Sequence, residues 1–305
     1  MKALLIAGTV SMVVSLLGTP LFIRLLVRKQ YGQFIRQDGP TSHQTKRGTP
    51  TMGGVVIIGS TLAGLLVALM VTRQLPSASL VLALFLMVGL GFVGFLDDYI
   101  KISRQRSLGL SPWAKIIGQG LVGITFAVLA VRFFPNAQHR YPADMHISFI
   151  RDTKFDLGYF GAGLGLLLFV LWANFLITAW SNAVNLTDGL DGLATGVSLV
   201  VFGAFVLVGV WQSNQTCQDV MRVTNRCYET RDPMSMAMVA IAITGALFGF
   251  LWWNASPAQI FMGDTGSLAL GGALAGLSIL TRTELLAAII GGLFVLEVLS
   301  DVIQI

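Results

Sequence analysis

Apolar runs of membrane length recur along the whole chain, separated by short polar stretches, and that pattern excludes most soluble architectures at once. A hydrocarbon layer about 30 Å thick asks for roughly 20 apolar residues in helical form. Nine runs of this kind lie at residues 3–27, 54–71, 79–96, 113–134, 159–180, 193–211, 234–253, 267–280 and 285–305. Charged residues make up 11% of the chain and hydrophobic ones 54%. A soluble domain carries about a quarter charged residues, so this chain is solvated by the lipid bilayer. The expectation is an all-α fold: a polytopic transmembrane helical bundle, one integral membrane domain over residues 1–305.

The first run is too long for a signal-peptide core and lacks a small-residue cleavage site, so it reads as a retained span. Only Lys2 precedes it, whereas Arg24, Arg28, Lys29, Arg36, Lys46 and Arg47 close or follow it. Positive charge favours the cytoplasmic side, which puts the N-terminus outside. Alternation then assigns residues 28–52, 97–112, 181–191 and 254–266 to the cytoplasmic face. The total of Lys and Arg is balanced between the two sides, so orientation rests on the first helix. Cys217 and Cys227 fall outside, where a disulfide forms and persists. The polar stretch 135–158, with Tyr141, Ile147, Phe149 and Phe155, has room for a small β-hairpin. The net charge of +5 belongs to membrane-surface loops. Without a basic helix or an aromatic-basic alternation, a nucleic-acid partner is excluded. Two cysteines and three scattered histidines do not make a zinc site.

The four inner loops concentrate the chemistry. The sequence Asn185-Leu186-Thr187-Asp188-Gly189-Leu190-Asp191-Gly192-Leu193-Ala194 sits between two spans. If its second half begins a helix, Asn185, Asp188 and Asp191 share one face. Carboxylates and an amide offer oxygen ligands, which suit Mg2+ with substrate phosphates; the plainer alternative is a loop that caps two helices. Asp97 and Asp98 close the third span. Neighbours on a helix diverge by about 100°, so the two carboxylates meet different partners, and Asp97 has the option of pairing with Lys101 at i+4. Asp264 stands between Gly263 and Thr265-Gly266, before an apolar run, either as a ligand or as a helix cap. Helix starts beside glycine attract phosphate. The first inner loop brings Lys46, Arg47 and Gly48-Thr49-Pro50-Thr51-Met52-Gly53-Gly54, where amides and cations can hold a diphosphate.

These stretches resemble, in order, the signatures of the bacterial phospho-N-acetylmuramoyl-pentapeptide transferase family. The first is Asp38-Gly39-Pro40-Thr41-Ser42-His43 with residues 46–54. Asp97-Asp98-Tyr99-Ile100-Lys101, the Asn185 stretch and Met262-Gly263-Asp264-Thr265-Gly266-Ser267-Leu268 follow. The resemblance covers the whole chain. It implies a Mg2+-dependent enzyme of the bacterial inner membrane with its active site towards the cytoplasm. The reaction it implies moves phospho-MurNAc-pentapeptide from UDP-MurNAc-pentapeptide to undecaprenyl phosphate, giving lipid I and UMP. It makes Asp97, Asp98 and Asp264 catalytic, with Asp264 at the metal and Asn185 and Asp188 as further candidate ligands. It places Asn185, Asp188, Asn254 and Phe261 about the nucleoside, Phe261 stacking on uracil. Lys46, Thr51, Lys101 and Lys115 serve phosphates, and Asp191 and Gly263 belong with the substrate-binding set. A homodimer is compatible with it.

The resemblance also implies ten spans, a broken ninth helix and a His-rich loop between the ninth and tenth. The sequence reaches only Ile305, and is read as C-terminally truncated. Phosphoryl transfer is mostly positioning and charge neutralisation. The expected mechanism is direct attack by the lipid phosphate, with Asp98 taking its proton; a two-step path through an acyl-phosphate is the alternative. Two rival functions stay in view. One is a related GlcNAc-1-phosphate transferase, which would not share the Ser42-His43 and Thr49-Pro50-Thr51-Met52 form of the first loop. The other is an ion-coupled transporter, whose acids would sit at the membrane midplane; here only Glu297 and Asp301 lie inside an apolar run.

Overall fold

A computed structural model describes residues 1–29, 49–104, 108–136, 139–217, 227–228 and 230–304. Its helices are α1 (Lys2–Arg28), α2 (Gly54–Thr72), α3 (Ala78–Ser103), α4 (Pro112–Arg132), α5 (Ala162–Thr187), α6 (Leu193–Asn214), α7 (Pro233–Asn254), α8 (Gly263–Leu280), α9 (Glu284–Ile290) and α10 (Gly292–Gln304). Several begin where local chemistry directs. Ser77 accepts a hydrogen bond from the Leu80 amide at the start of α3. Ser111 does the same for Ala114 at the start of α4, with Pro112 in the first turn. A side-chain oxygen there satisfies an amide that has no partner within the helix.

Helix α8 is the central post. Every residue from Thr265 to Leu280 is buried, with α3 on one flank and α5 on another. Helix α1 packs on α7 and α2, α6 on α7, and α4 between α3 and α5. Close approach depends on small residues, because lipid supplies little hydrophobic drive for helices to associate. A Cβ on Gly94 of α3 would lie 2.0 Å from the Asp264 carbonyl oxygen, so this crossing requires glycine.

The expectation of an all-helical membrane bundle holds. Among the described residues seven helices are long and apolar enough to cross a membrane. The count is eight if α9 and α10, bent by 78° at their break, form one span. Two of the nine expected runs therefore differ in kind. Residues 267–280 lie in α8, which is rich in glycine and serine because it contacts protein on all sides. Residues 285–305 form a bent pair rather than one straight helix.

At the end of the bundle away from the acidic motifs, β1 (His146–Ser148) and β2 (Asp152–Asp156) make the small antiparallel hairpin expected there, His146 opposite Asp156 and Ser148 opposite Asp152. Glu284 accepts the Ser148 amide at 3.0 Å, and Arg282 pairs with Asp152, fixing the hairpin to the α8–α9 turn. Cys217 and Cys227 are joined in a disulfide. Beside it, Tyr228 stacks edge-on against Trp211 and carries the Arg151 guanidinium over its ring.

Candidate active site

Four polar segments meet at the opposite end. Asp264, in the first turn of α8, is their hub. Its Oδ2 receives Lys101 Nζ of α3 at 3.0 Å and Lys115 Nζ of α4 at 2.9 Å. Its Oδ1 receives Asn185 Nδ2 of α5 at 2.7 Å. Asn185 also donates to Ser267 Oγ, one turn further along α8. Lys101 is shared, since its Nζ stands 2.6 Å from Asp97 Oδ2. The i+4 pair between Asp97 and Lys101 thus exists, and Asp264 enlarges it into a network.

Asp97 and Asp98 diverge as neighbouring helical residues must. Asp97 Oδ1 accepts the Leu110 amide at 2.7 Å, fastening the segment that leads into α4. Asp98 turns to the start of α8. It accepts the Asp264 amide at 3.2 Å, the Thr265 amide at 2.9 Å and the Thr265 hydroxyl at 2.7 Å. A carboxylate from one helix thereby caps the N-terminus of another, where the helix dipole favours negative charge. With only 3% of its surface exposed and three donors on it, Asp98 is engaged as a cap. The geometry does not single it out as the acceptor of a substrate proton.

The Asn185 stretch differs from the expected arrangement. Asn185 lies in the last turn of α5 and Asp188 follows its end, while α6 begins only at Leu193. The second half of the motif does not begin a helix with three residues on one face; the first half ends one. Asp188 still converges on the hub, accepting the Gly263 amide at 3.2 Å. Burial, then the charges of Asp264 and Asp98, push its carboxyl well above the ordinary carboxylate range. Asp191 instead accepts the Ala258 amide at 3.2 Å and holds the 255–262 loop. Gly263 has φ +73°, and a Cβ there would come within 2.7 Å of Asp98 and 2.8 Å of the Thr51 hydroxyl. Only glycine takes this conformation without strain.

Asn254 is 1% exposed, with its amide committed within the protein: it accepts from the Thr195 hydroxyl at 2.5 Å and donates to the Ile260 carbonyl at 2.9 Å. In this arrangement Asn254 braces the loop that leads to Phe261. The Phe261 amide donates to the Pro50 carbonyl, and the Gly53 amide donates to the Phe261 carbonyl, so the loop is pinned to the start of α2 with the Phe261 ring half-buried. Lys46 and His43 lie outside the described residues. Thr265, Ser267 and Thr195 were missed as contributors. The first two lie one and three residues after Asp264, and that nearness is the signal the sequence offers for them.

One oxygen from each of Asp97, Asp98 and Asp264 lies within 4.8 Å of the other two. Asp97 Oδ2 is buried and, beside its ion pair, has no hydrogen bond. An all-oxygen set with such an atom fits a hard divalent cation such as Mg2+. The two lysines on Asp264 have flexible stems, so a cation and substrate phosphates can divide the carboxylate and ammonium groups between them.

A helical membrane bundle gathers carboxylates and lysines at one end here, and family matches place it among membrane-embedded transferases. The family described as Glycosyl transferase family 4 matches residues 80–282. A second match, described as Phospho-N-acetylmuramoyl-pentapeptide-transferase signature 1, covers residues 46–58. The phospho-N-acetylmuramoyl-pentapeptide-transferase of Beutenbergia cavernae is 70% identical over 305 residues, all of this chain and 84% of that protein. The proteins of the same name from Kineococcus radiotolerans and Micrococcus luteus are 62% and 56% identical, again over all of this chain and over 84% and 82% of theirs. The chain belongs to the phospho-N-acetylmuramoyl-pentapeptide-transferase family.

Proposed function

We propose that this chain transfers phospho-MurNAc-pentapeptide from UDP-MurNAc-pentapeptide to undecaprenyl phosphate, forming lipid I and UMP. The observation that carries the reading is the hub itself: Asp264 held by two lysines and an amide, with Asp97 and Asp98 beside it, at one end of a membrane bundle. A groove of about 780 Å³ between α5 and the α9–α10 pair, lined by Trp172, Phe175, Leu186, Leu285 and Val298 among others, supports a polyprenyl acceptor. It runs along α5 as far as Leu186, the residue after Asn185.

In this reading the lipid phosphate oxygen attacks the sugar-linked phosphorus, and the bond to the bridging oxygen breaks as UMP leaves. A phosphate monoester has a second pKa of about 6, so the acceptor is already mostly dianionic near pH 7 and needs no protein base. Lys101 and Lys115 neutralise the phosphates and hold them in line, while Asp98 keeps the start of α8 fixed. Asp264, with Asp97 in reach, would hold Mg2+, whose charge offsets that of the diphosphate. Phe261 is the candidate stacking partner for uracil, with Asp188 and Gly263 at the nucleotide end and Thr51 and Lys46 on the phosphates.

We further propose that α8 and the bent α9–α10 pair also cross, giving nine spans with the N-terminus outside and the hub facing the cytoplasm of a bacterial inner membrane. Trp113 and Trp252, both 75% exposed near that end, suit the membrane–water boundary. A transfer assay with undecaprenyl phosphate and Mg2+, run with UDP-MurNAc-pentapeptide and with UDP-GlcNAc, tests the function. Lipid I and UMP are expected from the first donor only. Turnover restricted to UDP-GlcNAc would make the chain a transferase of the sister type.

A further inference from the structure

One helical turn deeper than the charged hub lies a second layer that the reaction as described leaves unused. Gln119 of α4 is four residues past Lys115, and Ser181 of α5 is four residues before Asn185, so each sits beneath one of the two side chains that grip Asp264. Gln119 is 1% exposed and Ser181 fully buried. Gln119 Nε2 donates to Ser181 Oγ at 3.0 Å, and Ser181 Oγ donates to the Thr178 carbonyl at 3.2 Å. Gln119 Oε1 is buried with no hydrogen-bond partner. The third helix joins at the same level: a Cβ on Gly271 of α8 would lie 2.3 Å from Ser181 Cα. Gly271 is four residues beyond Ser267, the hydroxyl that shares Asn185 with Asp264.

A buried amide with half its capacity unmet is costly, and an apolar side chain of similar size would pack here without that cost. Its presence calls for a purpose other than stability. The layer is well suited to alignment. Antiparallel α4 and α5 are locked at one height by the Gln119–Ser181 bond, and α8 is pressed onto the same level at Gly271. The next turn on each helix then delivers Lys115, Asn185 and Asp264 to a common point.

We propose that Gln119 is a positioning residue for the transfer reaction, held by Ser181 so as to set the height of Lys115 against Asp264. This rests on the reading of the Asp264 hub as the active site. Small misplacements of groups that hold reacting phosphates cost far more in turnover than in affinity. Without the lock, α4 can slide along α5, and Lys115 meets Asp264 only part of the time.

The test uses the full chain in lipid nanodiscs, with Gln119→Leu, Ser181→Ala and the pair combined, each also made in a Lys115→Met background. Thermal unfolding is followed beside steady-state transfer. Each single variant should lower kcat about tenfold and leave the KM for UDP-sugar within about twofold. The double variant should match the singles, and the losses should largely vanish on Lys115→Met, since the lock works through that lysine. Wild-type kcat in both Gln119→Leu and Ser181→Ala overturns the proposal. So does an equal further loss on Lys115→Met, which would signify general packing. If Gln119→Leu unfolds, Ser181→Ala carries the same decision alone. Wild-type activity in Lys115→Met and in Asp264→Asn would instead sink the reading of the hub itself.

Discussion

Replacing Asp98 by Asn separates a helix cap from a proton acceptor. Asn keeps one acceptor oxygen. If that oxygen stays on the Thr265 amide and hydroxyl, now 2.9 and 2.7 Å from the carboxylate, both bonds lose their charge assistance. Bonds to charged groups contribute about 1.5–3 kcal/mol and neutral ones about 0.5–1.5, so the two together lose about 2 kcal/mol. The new amide nitrogen then faces the Asp264 amide, donor against donor, for about 1 kcal/mol more given the long 3.2 Å contact it replaces. The cap account therefore expects about 3 kcal/mol less stability at the start of α8, together with a kcat reduced by about 10²-fold as Asp264 drifts. Thermal unfolding of the purified variant and the lipid I assay are measured on the same preparation. An Asp98→Asn protein that unfolds like wild type but has lost turnover would refute the cap as the main role and return Asp98 to proton transfer.

Asp264→Asn should leave a folded protein with transfer reduced by about 10³-fold or more, since the hub loses the charge that gathers both lysines and would hold the metal; ordinary turnover in 10-fold excess Mg2+ would relocate the ligand to Asp188. Gly263→Ala must carry φ +73° beside Asp98 and Thr51, and should cost about 1–3 kcal/mol, read as a lower unfolding midpoint; unchanged stability would show that the loop relaxes freely. At the other end of the bundle, burial alone would lower the His146 pKa, but Asp144 at 2.6 Å and then Asp156 and Asp152 hold it above its ordinary 6.5. Asp144 is opposed by burial too, and Arg282 and His146 together hold it below 3.8. The imidazolium therefore stabilises the hairpin fully below pH 6.5 and is lost as pH rises through its raised folded value, while the Asp144 contribution is full above 3.8 and fades as pH falls through its depressed one. Hydrogen exchange over residues 146–156 should show most protection between those limits and less at pH 9, and Asp144→Asn should flatten the alkaline change.

Much of this protein is written locally. Runs such as 54–71 and 234–253 are apolar enough that only a membrane helix can contain them, and Ser77 and Ser111 mark helix starts through single side-chain bonds. The divergence of Asp97 from Asp98 follows from the helical repeat alone, and the motif order carried the family. What the chain could not show by itself is contact between residues far apart in sequence. Residues 267–280 read as another apolar run of membrane length; that they form a post enclosed by protein is a property of their neighbours. That Asp98 meets the start of α8 and Asn254 meets Thr195 and Ile260 likewise depends on which donors and acceptors the tertiary packing sets against them. Gln119 shows the limit in one residue. Its spacing from Lys115 is legible, but its significance exists only because α5 and α8 bring Ser181 and Gly271 to the same height.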